Sequence, residues 1–351
     1  MKKIRVLIVD DSALVRKLLT AGLSRDPQIE VIGGARDPYT ARDILVEQRP
    51  DVITLDIEMP RMDGVTFLKK YMAVIPTPTV VISSLTEQGK RVTIEAMEAG
   101  AVDIVLKPKT GIVDGLPVIM DDLVARVKAA ARSNVSRSAS IHPVEVPKRP
   151  QVSINNAMEE TTDRVIAIGA SAGGVAALAH IIPMFPAAAP GIVIVQHMPA
   201  GFTTSFAQRL NSLAKMQVKE AEQGDRIRPG LVLLAPGGDR HMEVHRSGGE
   251  YRVSLIKAEK VSGHCPSVDV LFHSVAKHVG RNAVAAILTG MGGDGAEGMV
   301  AIRQMGGRTI AQNEQTCVVF GMPRVAWEKG GAETLAPLDE IPLRLLRALG
   351  L

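Results

Sequence analysis

IRVLIVD at residues 4–10, IEVIGGA at 29–35, DVITLD at 51–56, TVVISSL at 79–85 and DIVLK at 103–107 are short runs rich in β-branched residues. Between and after them, 13–24, 38–48, 64–74, 88–99 and 120–132 space their apolar residues as helices do. A strand with one wet face alternates apolar and polar residues. One that is apolar almost throughout is covered on both faces, as happens when helices pack on either side of a parallel sheet. Residues 1–132 therefore read as five βα units of a doubly wound α/β domain. The same rhythm returns in VIAIG at 165–169, IVIVQH at 192–197, LVLLAP at 231–236, VAAILTG at 284–290 and RTIAQ at 308–312. This predicts a second parallel-sheet α/β domain over 163–351. Within it, MEVHR at 242–246 and YRVSLIK at 251–257 flank Ser247-Gly248-Gly249 and predict a hairpin. Between the domains, 133–162 carries five Ser and three Pro with no periodic apolar face, the composition of a linker.

The bulk properties agree with two ordinary globular domains. The chain has 351 residues, 46% hydrophobic and 22% charged, which argues against general disorder. Its ten aromatic residues offer few stacking platforms for single-stranded nucleic acid. A net charge of +4, with no strongly basic segment, also lowers the expectation of duplex binding, so no nucleic-acid partner is predicted. Cys265 and Cys317 are too few and too far apart for a disulfide scaffold or a C-x-x-C site, and read as reduced thiols. The N-terminal apolar run meets Asp10 and Asp11 too early for a signal peptide. No stretch reaches the roughly 18 apolar residues of a membrane span. A cytoplasmic protein without direct membrane insertion is the expectation.

In a parallel sheet the loops after the strand carboxyl ends share one edge. In the first domain that edge collects Asp10 and Asp11 after the first strand, Asp56 after the third, Ser83 and Ser84 after the fourth, and Lys107 after the fifth. Three carboxylates crowded together repel unless a cation offsets them, and an all-oxygen ligand set suits Mg²⁺. A carboxylate beside Mg²⁺, a lysine and a hydroxyl is placed to attack a phosphoryl donor, giving an acyl phosphate on Asp56. Taken singly, Asp10 or Asp63 reads equally well as a helix cap.

In the second domain, VIAIGASAGG at 165–174 passes from a strand through Gly169-Ala-Ser171-Ala-Gly173 into a helix, the G-x-S-x-G spacing that exposes a serine on a sharp turn. A phosphate-cradling G-x-G-x-x-G fails, because position 171 is Ser. The base should end a neighbouring strand, and His197 does, whereas His180, His273 and His278 lie in helical patterns. His241 and His245 lack a third metal ligand, and His264, next to Cys265, reads either as a residue lining the cleft or as a plain loop residue. A carboxylate should accept the imidazole Nδ1–H and fix its tautomer. Asp294, in the glycine-rich segment after VAAILTG, fits that role, with Asp239 after LVLLAP as its rival.

VDDS at 9–12, LDIEMPRMDG at 55–64, SSLT at 83–86 and LKPK at 106–109 resemble the response-regulator receiver domain over residues 1 to about 125. The resemblance implies a flavodoxin-like fold and phosphorylation of Asp56 by a chemotaxis histidine kinase. It further implies Mg²⁺ held by Asp10, Asp11, Asp56 and the Glu58 backbone carbonyl, with Ser83 and Lys107 sensing the phosphoryl group. Ile104 stands where such domains usually carry Tyr or Phe. GASAGG at 169–174, QHMP at 196–199, HCPSVDVLF at 264–272, TGMGGDGAEGM at 289–299 and AQNEQTCVVFGMP at 311–323 resemble the chemotaxis protein-glutamate methylesterases. That resemblance implies a Rossmann-like catalytic domain that hydrolyses glutamyl methyl esters on methyl-accepting chemoreceptors and deamidates receptor glutamines, with no cofactor for ester hydrolysis. Carried onto this chain, Ser171 is the nucleophile, His197 the base, Asp294 its orienter, and the Ala172 and Met291 amides the oxyanion donors. Phosphorylation of Asp56 is implied to relieve a block of the serine site by the receiver.

Overall fold

The computed structural model describes residues 2–59, 62–108, 112–135 and 163–351. The chain divides into two compact units between residues 140 and 141. That division falls within 136–162, the greater part of the expected linker, which lies outside the described residues. Among the described residues, no helix is long and apolar enough to cross a membrane.

The first unit is a five-stranded parallel sheet of β1 (Ile4–Val9), β2 (Ile29–Ala35), β3 (Val52–Asp56), β4 (Thr79–Ser83) and β5 (Asp103–Leu106), in the order β2-β1-β3-β4-β5. Val6, Leu7, Ile8, Ile53, Leu55, Val80 and Val81 are wholly buried, as apolar strands covered on both faces require. The helices Ala13–Leu23, Pro38–Gln48, Gly64–Met72 and Glu87–Glu98 start at Ser12, Asp37, Asp63 and Thr86. Each of these caps accepts a bond from an amide two or three residues on. Asp63 is thus a cap, while Asp10 accepts from the Ser12 N–H at 2.9 Å through Oδ1 and turns Oδ2 toward Lys107. The last helix, Ile112–Ala130, begins earlier than the expected 120 because it tolerates Pro117 in its interior. The sheet order reverses between β1 and β3, so the loops carrying Asp10 and Asp56 diverge there and leave a crevice at the strand ends.

The second unit has seven parallel strands: β6 (Val165–Ala170), β7 (Gly191–Gln196), β8 (Gln217–Glu220), β9 (Leu231–Leu234), β12 (Ala283–Ile287), β13 (Arg308–Gln312) and β14 (Thr334–Ala336). Their order is β14-β13-β12-β6-β7-β9-β8. The predicted hairpin is the antiparallel ribbon of β10 (Arg240–Ser247) and β11 (Glu250–Lys257), which turns at Gly248-Gly249. The chain builds outward from β6 to β7 and its neighbours on one side and to β12 and its neighbours on the other, so the switch point lies between β6 and β12. β8 and β14 are short edge strands whose sequences, QVKE and TLA, carry too little apolar pattern to announce them.

The helix Val268–His278 presses unusually close to this sheet. A Cβ on Gly169 would lie 2.3 Å from Val268 Cγ1, and one on Gly298 would lie 2.4 Å from Phe272 Cβ. Phe272 is wholly buried between β6 and the helix Ala296–Gln304. Phe272→Ala is expected to destabilise the second unit by about 3–5 kcal/mol. Amide hydrogen exchange on the full chain would show this as lost protection in β6 and β12 with β1 and β3 unchanged. Undiminished protection in β6 would mean that Phe272 does not hold this helix to the sheet.

Candidate active site and phosphoacceptor site

Ser171, His197 and Asp294 follow β6, β7 and β12, three strands that adjoin at the switch point. After Ser171 the chain turns at once. Gly174 N–H donates to Ser171 O at 2.7 Å, and Gly173 takes φ +75°, where a Cβ would also strike Val318. Only glycine adopts that conformation without strain. Ser171 N–H donates to Thr289 O at 3.0 Å and His197 N–H to Ala170 O at 3.0 Å, so the three strand ends are stitched together. Gln196 adds a second stitch: its Nε2 donates to Ser171 O at 2.9 Å and to His197 O at 3.1 Å.

Asp294 is 2% exposed and accepts four hydrogen bonds. Oδ1 receives Ser267 Oγ–H at 2.7 Å and Asp269 N–H at 3.0 Å; Oδ2 receives Val268 N–H at 2.8 Å and His197 Nε2–H at 2.8 Å. Three of these donors belong to the start of the helix Val268–His278, where unpaired amides and the helix dipole favour an anion. Burial pushes the Asp294 carboxyl up, but the bonds from His197, Ser267 and Asp269 outweigh it and hold it below the usual carboxylate range. Neighbouring Asp269 is pushed the other way, by burial and by the charge of Asp294 beside it.

One detail differs from the sequence-based expectation. The imidazole gives Nε2–H, not Nδ1–H, to Asp294, and Nδ1 is buried without a hydrogen-bond partner. The free lone pair of His197 is therefore on Nδ1. The ring of His264, which the sequence left between a cleft-lining and a plain loop role, stacks on that of His197 with centroids 3.7 Å apart and planes 13° from parallel. Asp239, the rival carboxylate, is exposed and pairs with Lys257 at 3.0 Å, whereas the His197 Nε2–H goes to Asp294. Ala172 is buried and Met291 exposed, and neither amide has an acceptor among the described residues.

The first unit gathers its own cluster. Oxygens of Asp10, Asp11 and Asp56 lie within 4.8 Å of one another. Lys107 Nζ donates to Asp56 Oδ2 at 2.6 Å and lies 3.3 Å from Asp10 Oδ2, an ion pair without hydrogen-bond geometry. That Asp10 oxygen is buried and lacks a hydrogen-bond partner among the described residues, the kind of atom a hard cation would satisfy. Burial raises the Asp56 carboxyl to about 6, with the charge of Asp10 adding to the rise and Lys107 opposing it. Glu58 N–H donates to Asp56 Oδ1 at 3.2 Å, and the Glu58 carboxylate turns away to accept from Ser84 and Thr86. Ser83 is buried, and its hydroxyl accepts from Thr93 Oγ1 at 2.7 Å.

A model of the CheB methylesterase family matches residues 166–345, and one of the response regulator receiver domain matches residues 6–112. The chain belongs to the CheB methylesterase family. It is 57% identical over 348 residues to a protein-glutamate methylesterase/protein-glutamine glutaminase of Syntrophotalea carbinolica, covering 99% of this chain and 98% of that one. The namesake in Salmonella typhimurium is 48% identical over 346 residues, 99% and 97% of the two chains. The crystal structure of the Thermotoga maritima CheB methylesterase catalytic domain superposes with a TM-score of 0.51 at 42% identity, covering 52% of this chain and 97% of that domain.

Sequence reasoning missed several residues that hold the methylesterase site. Ser267 is the N-cap of Val268–His278 and binds Asp294; a Ser before an apolar helical run is the signal that could have found it. Gln196 and Thr289 act through backbone partners, which no motif reveals. Asp294→Asn keeps one acceptor oxygen but sets an NH₂ against the Val268 and His197 donors. Ester hydrolysis is expected to fall about 10⁴-fold in kcat. The unit should also lose about 1–3 kcal/mol, because a buried amide is left unpaired. Methanol release and urea unfolding check the two effects; a variant within tenfold of wild type would remove Asp294 from the site.

Proposed function

We propose that this chain is a phosphorylation-regulated serine hydrolase that demethylates glutamyl methyl esters on chemoreceptors and deamidates receptor glutamines. The observation that carries the reading is the His197–Asp294 bond, made through Nε2, which leaves Nδ1 able to take a proton, while Gln196 Nε2 ties the main chains of Ser171 and His197 together. Ser171 Oγ attacks the ester carbonyl as Nδ1 takes its proton. The amides of Ala172 and Met291 hold the oxyanion, and Asp294 stabilises the imidazolium. His197 returns the proton to the departing methoxide, releasing methanol. Water, deprotonated by Nδ1, then attacks the acyl carbonyl, and the imidazolium returns that proton to the departing Ser171 Oγ, leaving a glutamate carboxylate. With a glutamine side chain the same steps release ammonia. Catalytic hydrogen bonds often tighten only once substrate is bound, so the open Nδ1 suits a resting site.

In the receiver, over 1–132, Asp56 accepts the phosphoryl group of a chemotaxis histidine kinase. Asp10, Asp11, Asp56 and the Glu58 carbonyl would hold Mg²⁺, which supplies charge neutralisation at the phosphoryl oxygens. Lys107 pairs with that charge, and Ser83 offers it a hydroxyl. The segment 133–162 links the receiver to the methylesterase unit 163–351. Ester hydrolysis itself needs none of the receiver's groups, and a cytoplasmic setting fits receptor tails and a kinase as partners.

Methanol release from methylated chemoreceptor membranes tests the reading. Wild type should release methanol, faster with a small-molecule phosphodonor, and Ser171→Ala should release none above background. Equal release by both would remove Ser171 as nucleophile. Asp56→Asn should keep the basal rate and lose stimulation. A chelator should reproduce that pattern with wild type, abolishing stimulation alone; loss of the basal rate as well would mean a metal-dependent hydrolase.

A further inference from the structure

The sequence left His241 without a role, and the reaction above does not use it. It lies in β10, is 1% exposed, and both ring nitrogens are engaged by main-chain groups. Nε2–H donates to Glu259 O at 2.9 Å, and Nδ1 accepts from Ser267 N–H at 3.1 Å. A carbonyl can only accept and an amide can only donate, so these partners fix a neutral ring with its proton on Nε2. Glu259 and Ser267 are the two ends of one loop. A single imidazole therefore closes the stem of segment 259–267.

The tip of that loop is closed independently. Val261 and His264 exchange backbone bonds of 3.0 and 2.9 Å around Ser262 and Gly263, both at positive φ (53° and 81°). With tip and stem both tied, the loop has fixed ends and a fixed crown. Its two outputs reach the reacting groups: Ser267 Oγ–H bonds Asp294, and the His264 ring lies flat on His197. The second output matters because His197 has one ring hydrogen bond, through Nε2. A ring held at one nitrogen can swing about that anchor, and a parallel ring at 3.7 Å blocks the swing.

We propose that His241 is a positioning residue for ester hydrolysis: by clasping both ends of loop 259–267 it seats Ser267 on Asp294 and His264 on His197. This rests on the reading of Ser171, His197 and Asp294 as the reacting set. A buried histidine that merely fills the core would affect folding stability alone. A clasp also sets the orientation of the base, and an error of about 1 Å there costs up to about 10²-fold in rate.

The test uses the full chain, methylated receptor membranes and methanol release, with circular dichroism to confirm folding. His241→Leu ties neither end, whereas His241→Asn places an oxygen near the Nδ1 position and keeps the Ser267 end. The expected order of kcat is wild type, then Asn, then Leu, with Leu slower by about 10- to 100-fold and KM within about twofold. His264→Ala should also lower kcat, and its effect should combine less than additively with His241→Asn, since both act through one loop. A folded His241→Leu with wild-type kcat overturns the proposal, and so does full additivity of the His241→Asn and His264→Ala effects. The second comparison decides the matter even if the Leu variant does not fold. Wild type without activity, or Ser171→Ala as active as wild type, overturns the esterase reading and the clasp with it. An active, Ser171-dependent enzyme indifferent to His241 overturns the clasp alone.

Discussion

The second unit is organised around a buried negative charge. Removing a carboxylate from water costs several kcal/mol, and a single partner does not return that cost. Asp294 is stabilised by four donors at 2.7–3.0 Å, and charge-assisted bonds of this kind contribute about 1.5–3 kcal/mol each. Three come from the first turn of one helix and its cap, so the charge and the helix position each other. That is why Val268 and Phe272 press so closely on the sheet, and why residues 169 and 298, at the points of contact, have no side chain. The fourth donor is His197. Saturating the other lone pairs of Asp294 leaves one direction for the imidazole, so a packing requirement becomes an orientation.

The receiver meets the same physics with the opposite outcome. Asp56 is as buried as Asp294, but its surroundings contain two more carboxylates and one lysine rather than a set of amides. Burial, reinforced by the charge of Asp10 and opposed by Lys107, holds its carboxyl high, at about 6, while the donors around Asp294 outweigh burial and hold that one low. The difference suits the two tasks. A carboxylate that orients a base must keep its charge through the whole reaction. One that becomes a phosphoacceptor needs a reactive oxygen and surroundings able to take up more charge. The orphaned Asp10 oxygen and the nearby Lys107 leave room for a cation and an anion together. Both sites lie at the point where their sheet reverses its strand order, since only there do two adjacent loops part and leave space.

The fold was readable because its strands are buried on both faces. Val6 to Val9 and Val165 to Ala170 have almost no exposed atoms, and only apolar runs survive that environment. The short edge strands β8 and β14 face fewer neighbours, so their composition is less constrained and they escaped notice. The candidate site residues were readable for a related reason: Ser171, His197, Asp10 and Lys107 directly follow strands, Asp56 ends one and Asp294 lies in the loop after β12, where the fold converts sequence position into spatial position. His197 and Asp294 meet for that reason, next to the main chain of Ser171, as do Asp10, Asp56 and Lys107. The choice between Nδ1 and Nε2 was not readable, because it depends on a side-chain torsion set by Asp294 and His264. Neither was the part of Gln196 or His241, whose partners are main-chain atoms that any sequence would supply.

The use of Nε2 toward the carboxylate changes where precision has to come from. Nδ1 is separated from the backbone by only Cβ and Cγ, whereas Nε2 lies at the far side of the ring. A base acting through Nδ1 is consequently placed more by its own main chain than by the length of its side chain. The main chain at His197 is held by its amide on Ala170 O and by Gln196 on its carbonyl, and the same Gln196 nitrogen holds the Ser171 carbonyl. The main chains of Ser171 and His197 are thus referenced to one amide side chain, that of Gln196, buried between adjoining strands. The remaining freedom is rotation of the ring, and two opposed constraints limit it: Asp294 at the Nε2 edge and His264 on the face. The sheet fixes the main chains of Ser171 and His197 against each other, and the loop from 259 to 267 lays the His264 ring on the His197 imidazole.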